Sequence, residues 1–340
     1  MSHKRIQWVD ELRGLAALLI LLAHYRHFLS DVPLEFYLLD ITSRGVQLFY
    51  ILSGYILYSI YRNRLANAKS IFEFYVRRWF RIAPLFYTVC IISLLLFFPS
   101  IRNPLVNFSL HLLILPFGMY PEYINGIIGP EWSVYVEFWF YMAFPVLLWL
   151  FTRYGVILFG IALLLSFSQT IYFYLTEPDI SIRTFWYNQP TAQLVFFIGG
   201  MLVLRAREVL VTKWRKFISW SSIALLAILG VCIRYFSVQL FLSLPLLIML
   251  VIGYADISKA EWVSRSLAHA GKISFSLYLF HIPIGNIVEY WIGLNGIHGW
   301  VACMISVYVL SMISYNYIEK TGIELGRKFI SQHAKMKSSG

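Results

Sequence analysis

Long apolar runs separated by short polar stretches recur from one end of the chain to the other. Most of these runs have about 17–25 residues, the length that a helix needs to cross a hydrocarbon core of about 30 Å. Ten runs predict spanning helices, at 13–29, 45–61, 79–98, 132–151, 155–174, 190–204, 217–236, 240–256, 273–291 and 299–318. The pattern therefore predicts an all-α, polytopic transmembrane helical bundle with about ten spanning helices.

One further apolar run, at 108–119, is shorter and more polar than the others. It contains Ser109 and His111, and it is interrupted by Pro116 and Gly118. About a dozen residues are too few to cross the hydrocarbon core comfortably. We therefore expect a short re-entrant or interfacial segment, where broken helices are tolerated.

Composition and charge distribution agree with a membrane protein. Charged residues make up 13% of the chain, whereas soluble domains have about 25%, and mean hydropathy is +0.68. The net charge is +11, and the positive-inside rule explains how the basic residues are distributed. With ten crossings and a cytoplasmic N-terminus, only five of the 28 Lys and Arg residues lie on the external side. These five are Arg26, Arg44, Arg102, Arg183 and Arg234. Both termini are then cytoplasmic. Contact of the basic cytoplasmic side with anionic lipid explains the excess of positive charge, so we expect no nucleic-acid partner.

No polar stretch is long enough for a separate soluble domain, so we predict one transmembrane domain over 1–320 and a basic cytoplasmic tail over 321–340. The three cysteines, Cys90, Cys232 and Cys303, all lie in apolar runs. An odd, widely spaced set predicts neither a disulfide framework nor a zinc site. We expect no metal.

Ionisable residues inside apolar runs are candidate functional residues, because a charge at membrane depth is costly unless it faces protein or water. Asp10 and Arg13 precede His24 in the first run. His24 follows Arg13 by eleven residues, which is about 16 Å along a helix, or three turns. Both side chains therefore lie on the same face of the helix. Arg13 is expected at the cytoplasmic edge of the membrane and His24 in its outer half. An imidazole there can deprotonate a hydroxyl. A plain interhelical hydrogen bond by His24 and a positive-inside anchor at Arg13 are the alternatives.

Arg78 and Arg81 project from one face of a helix because they are three residues apart, and Pro84 loosens that helix. Paired guanidinium groups suit bidentate phosphate binding. At a cytoplasmic mouth they can hold the phosphates of a nucleotide-type cofactor. An orientation anchor that contacts lipid headgroups explains these residues equally well.

Glu137 lies about a turn and a half inside the run at 132–151. A lone carboxylate there must pair with a cation, accept several hydrogen bonds or stay protonated. Orienting His24 would meet that need, and an interhelical hydrogen bond is the alternative. Glu131 is nearer the interface and is expected to be solvated.

Two further segments carry polar residues inside apolar runs. His281 lies in mid-run, two residues before Pro283, and can bind substrate or serve as a second acid or base, with helix packing as the alternative. Ser53 and Gly54 are typical of helices that approach each other closely. The sequence gives no partner for Ser53 as a nucleophile.

Taken in order, these segments resemble the acyltransferase 3 family of integral membrane acyltransferases. Asp10, Arg13 and His24 are similar to the Asp-x-x-Arg start and following histidine of its first helix. The other matching segments are 45–55 (Gly-Val and Ser-Gly, with Phe-Tyr where the family pattern has Phe-Phe), 78–84 (Arg-x-x-Arg-Ile-x-Pro), 132–141 (Trp-Ser, Glu, Phe-Tyr) and 276–283 (Ser, Tyr-Leu, His, Pro).

The resemblance implies a transmembrane acyltransferase domain that moves an acyl group, usually acetyl, from cytoplasmic acyl-CoA to a hydroxyl of an extracytoplasmic or membrane-bound glycan. It implies a multi-pass protein of the bacterial inner membrane, with lipopolysaccharide O-antigen, exopolysaccharide, capsule or nodulation-type oligosaccharide as acceptor. His24 is then the base and Glu137 supports it. The implied donor-binding residues are Arg13, Arg78 and Arg81. Those implied to support substrate or structure are Asp10, Tyr278 and His281.

The chain also departs from the family pattern. Gln47 stands where many relatives have an acidic residue, and Tyr50 and Tyr55 replace commoner phenylalanines. If that acidic residue binds the acceptor in some relatives, the same role cannot be assigned to Gln47 here.

The competing interpretation is a proton-coupled transporter of a small anionic or sugar-like solute, since buried charges and proline-broken helices also describe such carriers. No inverted repeat is visible in the sequence, which favours the enzyme.

Overall fold

The structure is a computed structural model that describes residues 6–29, 44–101, 103–112, 126–232 and 236–336. All regular elements in these ranges are helical, which confirms the all-α class. The helices are α1 Gln7–His24, α2 Gly45–Tyr61, α3 Ala68–Phe97, α4 Pro104–Leu112, α5 Glu131–Thr176, α6 Ile180–Tyr187, α7 Pro190–Val209, α8 Thr212–Cys232, α9 Phe236–Gly253, α10 Glu261–Lys272, α11 Ser274–Asn286, α12 Gly296–Ser314 and α13 Lys320–Met336.

Each of the ten apolar runs overlaps a helix. Among the described residues, four continuous helical stretches are long and apolar enough to cross a membrane: Gln7–Leu29, Ala68–Ser100, Glu131–Thr176 and Gly296–Lys335. These stretches support a membrane protein. The number of ten crossings and the cytoplasmic position of both termini stay predictions.

The longest helix, α5, covers two of the predicted spans. Its 46 residues would extend about 69 Å in a straight line, more than twice the hydrocarbon thickness. Tyr154 interrupts the helix with a φ of −131° and a ψ of 33°, between the predicted spans at 132–151 and 155–174. The kink divides α5 into two halves that are each long enough to cross.

Close helix crossings hold the bundle together, and glycine permits the closest of them. A Cβ atom on Gly54 of α2 would lie 2.0 Å from the Phe197 carbonyl oxygen of α7, and one on Gly200 would lie 1.9 Å from the Ile51 carbonyl oxygen. No side chain fits in those spaces. The prediction that Ser53 and Gly54 mark a close approach of helices is therefore confirmed.

The variant Gly54→Ala is expected to destabilise the protein by about 1–3 kcal/mol, because α2 and α7 must move apart to admit the methyl group. The measurement is the midpoint of thermal unfolding of the purified protein in detergent. Gly160→Ala is the matched control, since a Cβ atom there meets nothing within 4 Å. Equal unfolding midpoints for the two variants would contradict the role of this crossing.

Most of the predicted basic tail at 321–340 belongs to α13, which packs along α3. A Cβ atom on Gly326 would lie 2.7 Å from the Phe80 Cβ atom. The ring centroids of Phe80 and Phe329 are 6.1 Å apart. The tail is therefore attached to the bundle through this helix as far as it is described.

The short run at 108–119 is described only to the end of α4. With nine residues, α4 is about 14 Å long, which is too short to cross a hydrocarbon core. Residues 113–119 of this predicted segment lie outside the described residues.

Candidate active site

A cavity of about 1160 Å³ lies between α1, α2, α5, α6 and α11. Its wall combines indole rings, which are flat and apolar, with side-chain amides, which donate and accept hydrogen bonds. The indoles belong to Trp132, Trp186 and Trp291, and the amides to Gln47, Asn107, Gln169, Asn188 and Asn286. The volume exceeds the roughly 300–1,000 Å³ of ordinary small-molecule pockets, so the cavity accommodates a larger polar ligand.

His24 is the last residue of α1, and its exposed ring lies on the wall of this cavity. Its Nδ1 atom is 2.9 Å from the Ile20 carbonyl oxygen. Because a carbonyl oxygen only accepts, Nδ1 carries the proton in this contact, and Nε2 is left with a lone pair. The imidazole can therefore accept a proton from a ligand in the cavity.

His281 of α11 lies beside His24, with ring centroids 4.7 Å apart and the rings at 70° to each other. It is fully buried, and its Nδ1 atom donates to the Tyr278 carbonyl oxygen. Its Nε2 atom has no hydrogen-bond partner among the described residues. The fold thus joins two histidines that lie far apart in the sequence, a contact that the sequence did not predict.

Tyr278 connects α11 to the start of α5. Its hydroxyl donates to the Pro130 carbonyl oxygen at 2.9 Å and accepts a hydrogen bond from Ser133 Oγ at 2.6 Å. Its side chain lines both the large cavity and a smaller pocket of about 50 Å³ that also borders Arg13 and Glu137. We call this smaller space the inner pocket.

The inner pocket is surrounded by polar and charged groups from four helices. Arg13 of α1 donates to Ser274 Oγ from Nε at 3.3 Å and from Nη2 at 3.2 Å. Glu137 Oε1 of α5 accepts a hydrogen bond from Ser53 Oγ at 2.7 Å and another from the Tyr141 hydroxyl. The charges that act on the Arg13 guanidinium are those of Arg81, Glu137, Asp10 and Glu319.

Glu137 was predicted to orient His24, and the structure shows which groups surround its carboxylate. The structure places it with Arg13 at the inner pocket, where its hydrogen-bond donors are Ser53 and Tyr141. The reason is that α1 begins at Gln7, so Arg13 lies about 9 Å inside that helix instead of at its edge. Glu137 borders the same pocket, and its charge acts on Arg13.

The other predicted donor-binding arginines lie next to the same cluster. The guanidinium carbon of Arg78 is 5.9 Å from the ring centroid of Tyr61, 5.8 Å from that of Phe74 and 5.6 Å from that of Tyr141. Arg81 also acts on Tyr141 through its charge. Aromatic faces attract guanidinium groups, and this packing holds Arg78 beside Tyr141, the residue that donates to Glu137.

Asp10, predicted to support the site, is buried in the first turn of α1. The backbone there closely approaches α10, because a Cβ atom on Gly271 would lie 1.8 Å from the Asp10 carbonyl oxygen. Its charge acts on Arg13, one helical turn later. Asp10 therefore belongs to the structure around the inner pocket.

Glu131 was expected to be solvated, and that prediction is wrong, because only 1% of the residue is exposed. Its Oε1 atom accepts from the backbone N–H groups of Ile127 at 2.5 Å and Ile128 at 3.2 Å, and lies 3.2 Å from His111 Nε2. The segment before α5 folds back over its first residue. This holds Ile127 and Ile128 on the cavity wall.

A polar network around Gln47 was missed by the sequence analysis. Gln47 Nε2 donates to the Tyr187 hydroxyl at 2.5 Å and to Gln193 Oε1 at 3.3 Å, and Arg44 Nη1 is 3.5 Å from the same hydroxyl. Gln47 lies on the cavity wall. The position of this amide inside an apolar helix was the signal in the sequence that could have identified it.

Among the described residues, no group of His, Cys, Asp and Glu side chains is arranged to hold a metal ion.

Comparisons with known proteins identify the family. The model described as an acyltransferase domain (Acyl_transf_3) matches residues 6–316. Nodulation protein 10 of Rhizobium leguminosarum bv. viciae is 22% identical over 366 aligned positions, covering 95% of this chain and 95% of that protein. Acyltransferase MdmB of Streptomyces mycarofaciens is 26% identical over 313 positions, covering 82% and 79%. No solved structure gives a significant match. Because the family model extends from α1 to the turn after α12, this chain belongs to the acyltransferase 3 family of membrane acyltransferases.

Proposed function

We propose that this membrane acyltransferase is an O-acetyltransferase that uses cytoplasmic acyl-CoA as donor. The acceptor is a hydroxyl of a cell-surface polysaccharide, such as O-antigen, exopolysaccharide or capsule, or of its lipid-linked precursor, at a bacterial inner membrane. The observation that carries the proposal is the position of His24. Its Nε2 atom is left to accept a proton on the wall of a large cavity whose indoles and amides suit a glycan.

The proposed reaction needs one base and one acid, and His24 supplies both. Nε2 of His24 takes the proton of the acceptor hydroxyl while that oxygen attacks the thioester carbonyl. The carbon–sulfur bond breaks, and the CoA sulfur takes the proton back from the imidazolium. The edge contact with His281 and the hydrogen bond to Ile20 fix the plane of the His24 ring.

The donor is proposed to bind on the inner side of His24. Its phosphates bind to Arg13, Arg78 and Arg81, because guanidinium groups pair with phosphate in a charge-assisted way. Arg13 and His24 are about 16 Å apart along α1. The acyl end of the long CoA arm reaches His24 by way of the inner pocket, which shares Tyr278 and Val46 with the large cavity.

Transfer from radiolabelled acetyl-CoA tests the proposal. The full chain is purified and placed in nanodiscs, and glycan from the source membrane is supplied as acceptor. We expect release of CoA thiol together with label in a base-labile ester of the glycan. Label that does not enter any ester would overturn the proposed acetyl transfer.

Arg81→Gln is expected to raise the KM for acetyl-CoA about 10-fold with little change in kcat, because one charge-assisted contact to the donor phosphates is lost. The measurement is initial rate against acetyl-CoA concentration. Arg77→Gln is the matched control, since Arg77 is exposed on the same helix and pairs with Glu73 at 3.3 Å. The same KM for the two variants would argue against donor binding by Arg81.

A further inference from the structure

Two arginines line the large cavity, Arg44 at the start of α2 and Arg183 on α6. Among the described residues, the cavity wall contains no Asp or Glu side chain. Both arginines belong to the small set that the predicted topology places on the external side. The described part of the wall therefore carries a net positive charge on the side where the acceptor would enter.

The fold brings the two arginines to the same part of the wall. Arg44 is 2% exposed, and its Nη1 atom is 3.5 Å from the hydroxyl of Tyr187. Arg183 precedes Tyr187 by four residues on α6, so these two side chains lie on the same face of that helix. Both arginines therefore lie on the part of the wall around Tyr187.

Polar groups on this part of the wall are left without protein partners. Arg183 donates to the Pro178 carbonyl oxygen from Nη2 at 3.2 Å, and its guanidinium carbon is 5.6 Å from the Tyr174 ring centroid. Its Nε atom is buried without a hydrogen-bond partner among the described residues, as is Oε1 of Gln47. Gln47 is 2% exposed and lines the cavity. Buried polar groups in native proteins are normally paired, so a ligand that pairs with both groups explains them.

The nearest acidic residue on α6 does not neutralise this wall. Asp179 is the N-cap of α6, and its side chain accepts a hydrogen bond from the Ser181 backbone N–H at 2.7 Å. It also acts on Arg183 through its charge, but it is not part of the cavity wall. Within the described part of the chain, the charged groups on the cavity wall are therefore the two arginines, and their field attracts anions.

We propose that Arg44 and Arg183 bind an anionic group of the acceptor, a phosphate or a carboxylate, while Gln47 binds a neighbouring hydroxyl. This inference rests on the proposed function, and it narrows the acceptor to one that carries an anionic group. Guanidinium groups match the planar carboxylate and the phosphate equally well. The anion therefore has two possible sources, a uronic acid of the glycan or the pyrophosphate of its lipid carrier.

Binding to matched charged and neutral probes tests the inference. The full chain is placed in nanodiscs, and calorimetry compares cellobiouronic acid with cellobiose, and undecaprenyl pyrophosphate with undecaprenol. We expect one charged probe to bind at least about 10-fold more tightly than its neutral counterpart, as one charge-assisted contact suffices for this. The pair that shows the preference identifies the source of the anion. Equal affinities within both pairs would overturn the inference.

Variants locate the preference on this wall. Arg183→Gln is expected to bring the affinity ratio close to one, and Arg183→Lys to keep part of it. Arg26→Gln is the matched control, because Arg26 is exposed and is not part of the cavity wall, and we expect it to keep the full ratio. An unchanged ratio in Arg183→Gln would overturn the inference.

The binding assay does not depend on acetyl transfer. A failure of the proposed anion site can therefore be distinguished from a failure of the proposed acetyltransferase function. Charge-selective binding without any acetyl transfer would overturn the proposed function and keep an anion site. Acetyl transfer with the same kcat/KM to a neutral glycan without its carrier, to an acidic glycan and to a pyrophosphate-linked glycan would overturn the anion site and keep the proposed function.

Discussion

Replacing His24 by alanine is expected to lower the rate of acetyl transfer by about 10²–10⁴-fold, the usual contribution of a positioned general acid–base group. The Nδ1 atom of His24 faces the Ile20 carbonyl oxygen, so Nε2 is the ring atom that can take a proton from the cavity. His281 lies beside it but is fully buried. Alanine therefore leaves the acceptor hydroxyl without this base.

The measurement is CoA release and ester formation by purified variants in nanodiscs, at equal amounts of folded protein. His27→Ala is the matched control, because His27 is an exposed histidine three residues later whose Nε2 atom is 3.3 Å from Glu289. We expect this control to keep the wild-type rate. A folded His24→Ala protein that transfers acetyl at the wild-type rate would remove His24 from the mechanism.

The helices were predictable because the hydrophobic pattern needs only local information. The run at 45–61 has the same bounds as α2, Gly45–Tyr61. The gap between the runs at 132–151 and 155–174 contains the kink at Tyr154. The sequence could not give the start of α1, since its first turn contains charged residues, and this shifted the depth that we expected for Arg13.

The candidate site was only partly predictable, because the sequence gives positions along helices but not which helix faces are neighbours. Arg13, Arg81 and Glu137 were each identified as candidate residues, and the structure places Arg13 and Glu137 on the inner pocket, with the charge of Arg81 acting on Arg13. The contact between His24 and His281 depends on how α1 and α11 pack. No pattern within either helix contains that information.

The inner pocket also shows why Glu137 and His24 act on different parts of the reaction. Glu137 lies between residues that are proposed to bind the donor, and its carboxylate acts on Arg13. Arg81 acts on the same guanidinium with the opposite effect, because two like charges repel each other. In the absence of donor phosphate, the negative charge of Glu137 therefore offsets part of the positive charge around Arg13.

Glu137→Gln is accordingly expected to lower the KM for acetyl-CoA by up to about 10-fold, since the neutral amide no longer competes with the donor phosphates for the positive charge of Arg13. The amide of the variant can keep a hydrogen bond with Ser53, so the change in KM measures the effect of removing the negative charge. The measurements are KM and the dependence of kcat on pH, which we expect to be unchanged because Glu137 does not contact His24. Ser53→Ala removes the 2.7 Å hydrogen bond and keeps the charge, so its effect on KM should be smaller.

Glu208→Gln is the matched control for this prediction, since Glu208 is an exposed carboxylate paired with Arg62 at 2.6 Å, and its loss should leave KM unchanged. The opposite result for Glu137→Gln, an unchanged KM with a shifted pH dependence of kcat, would mean that Glu137 acts on His24 as the sequence first suggested. The inner pocket would then have to rearrange during the reaction to bring the two side chains together. The split between KM and the pH dependence of kcat thus decides whether Glu137 offsets the charge of the donor-binding arginines or supports the base.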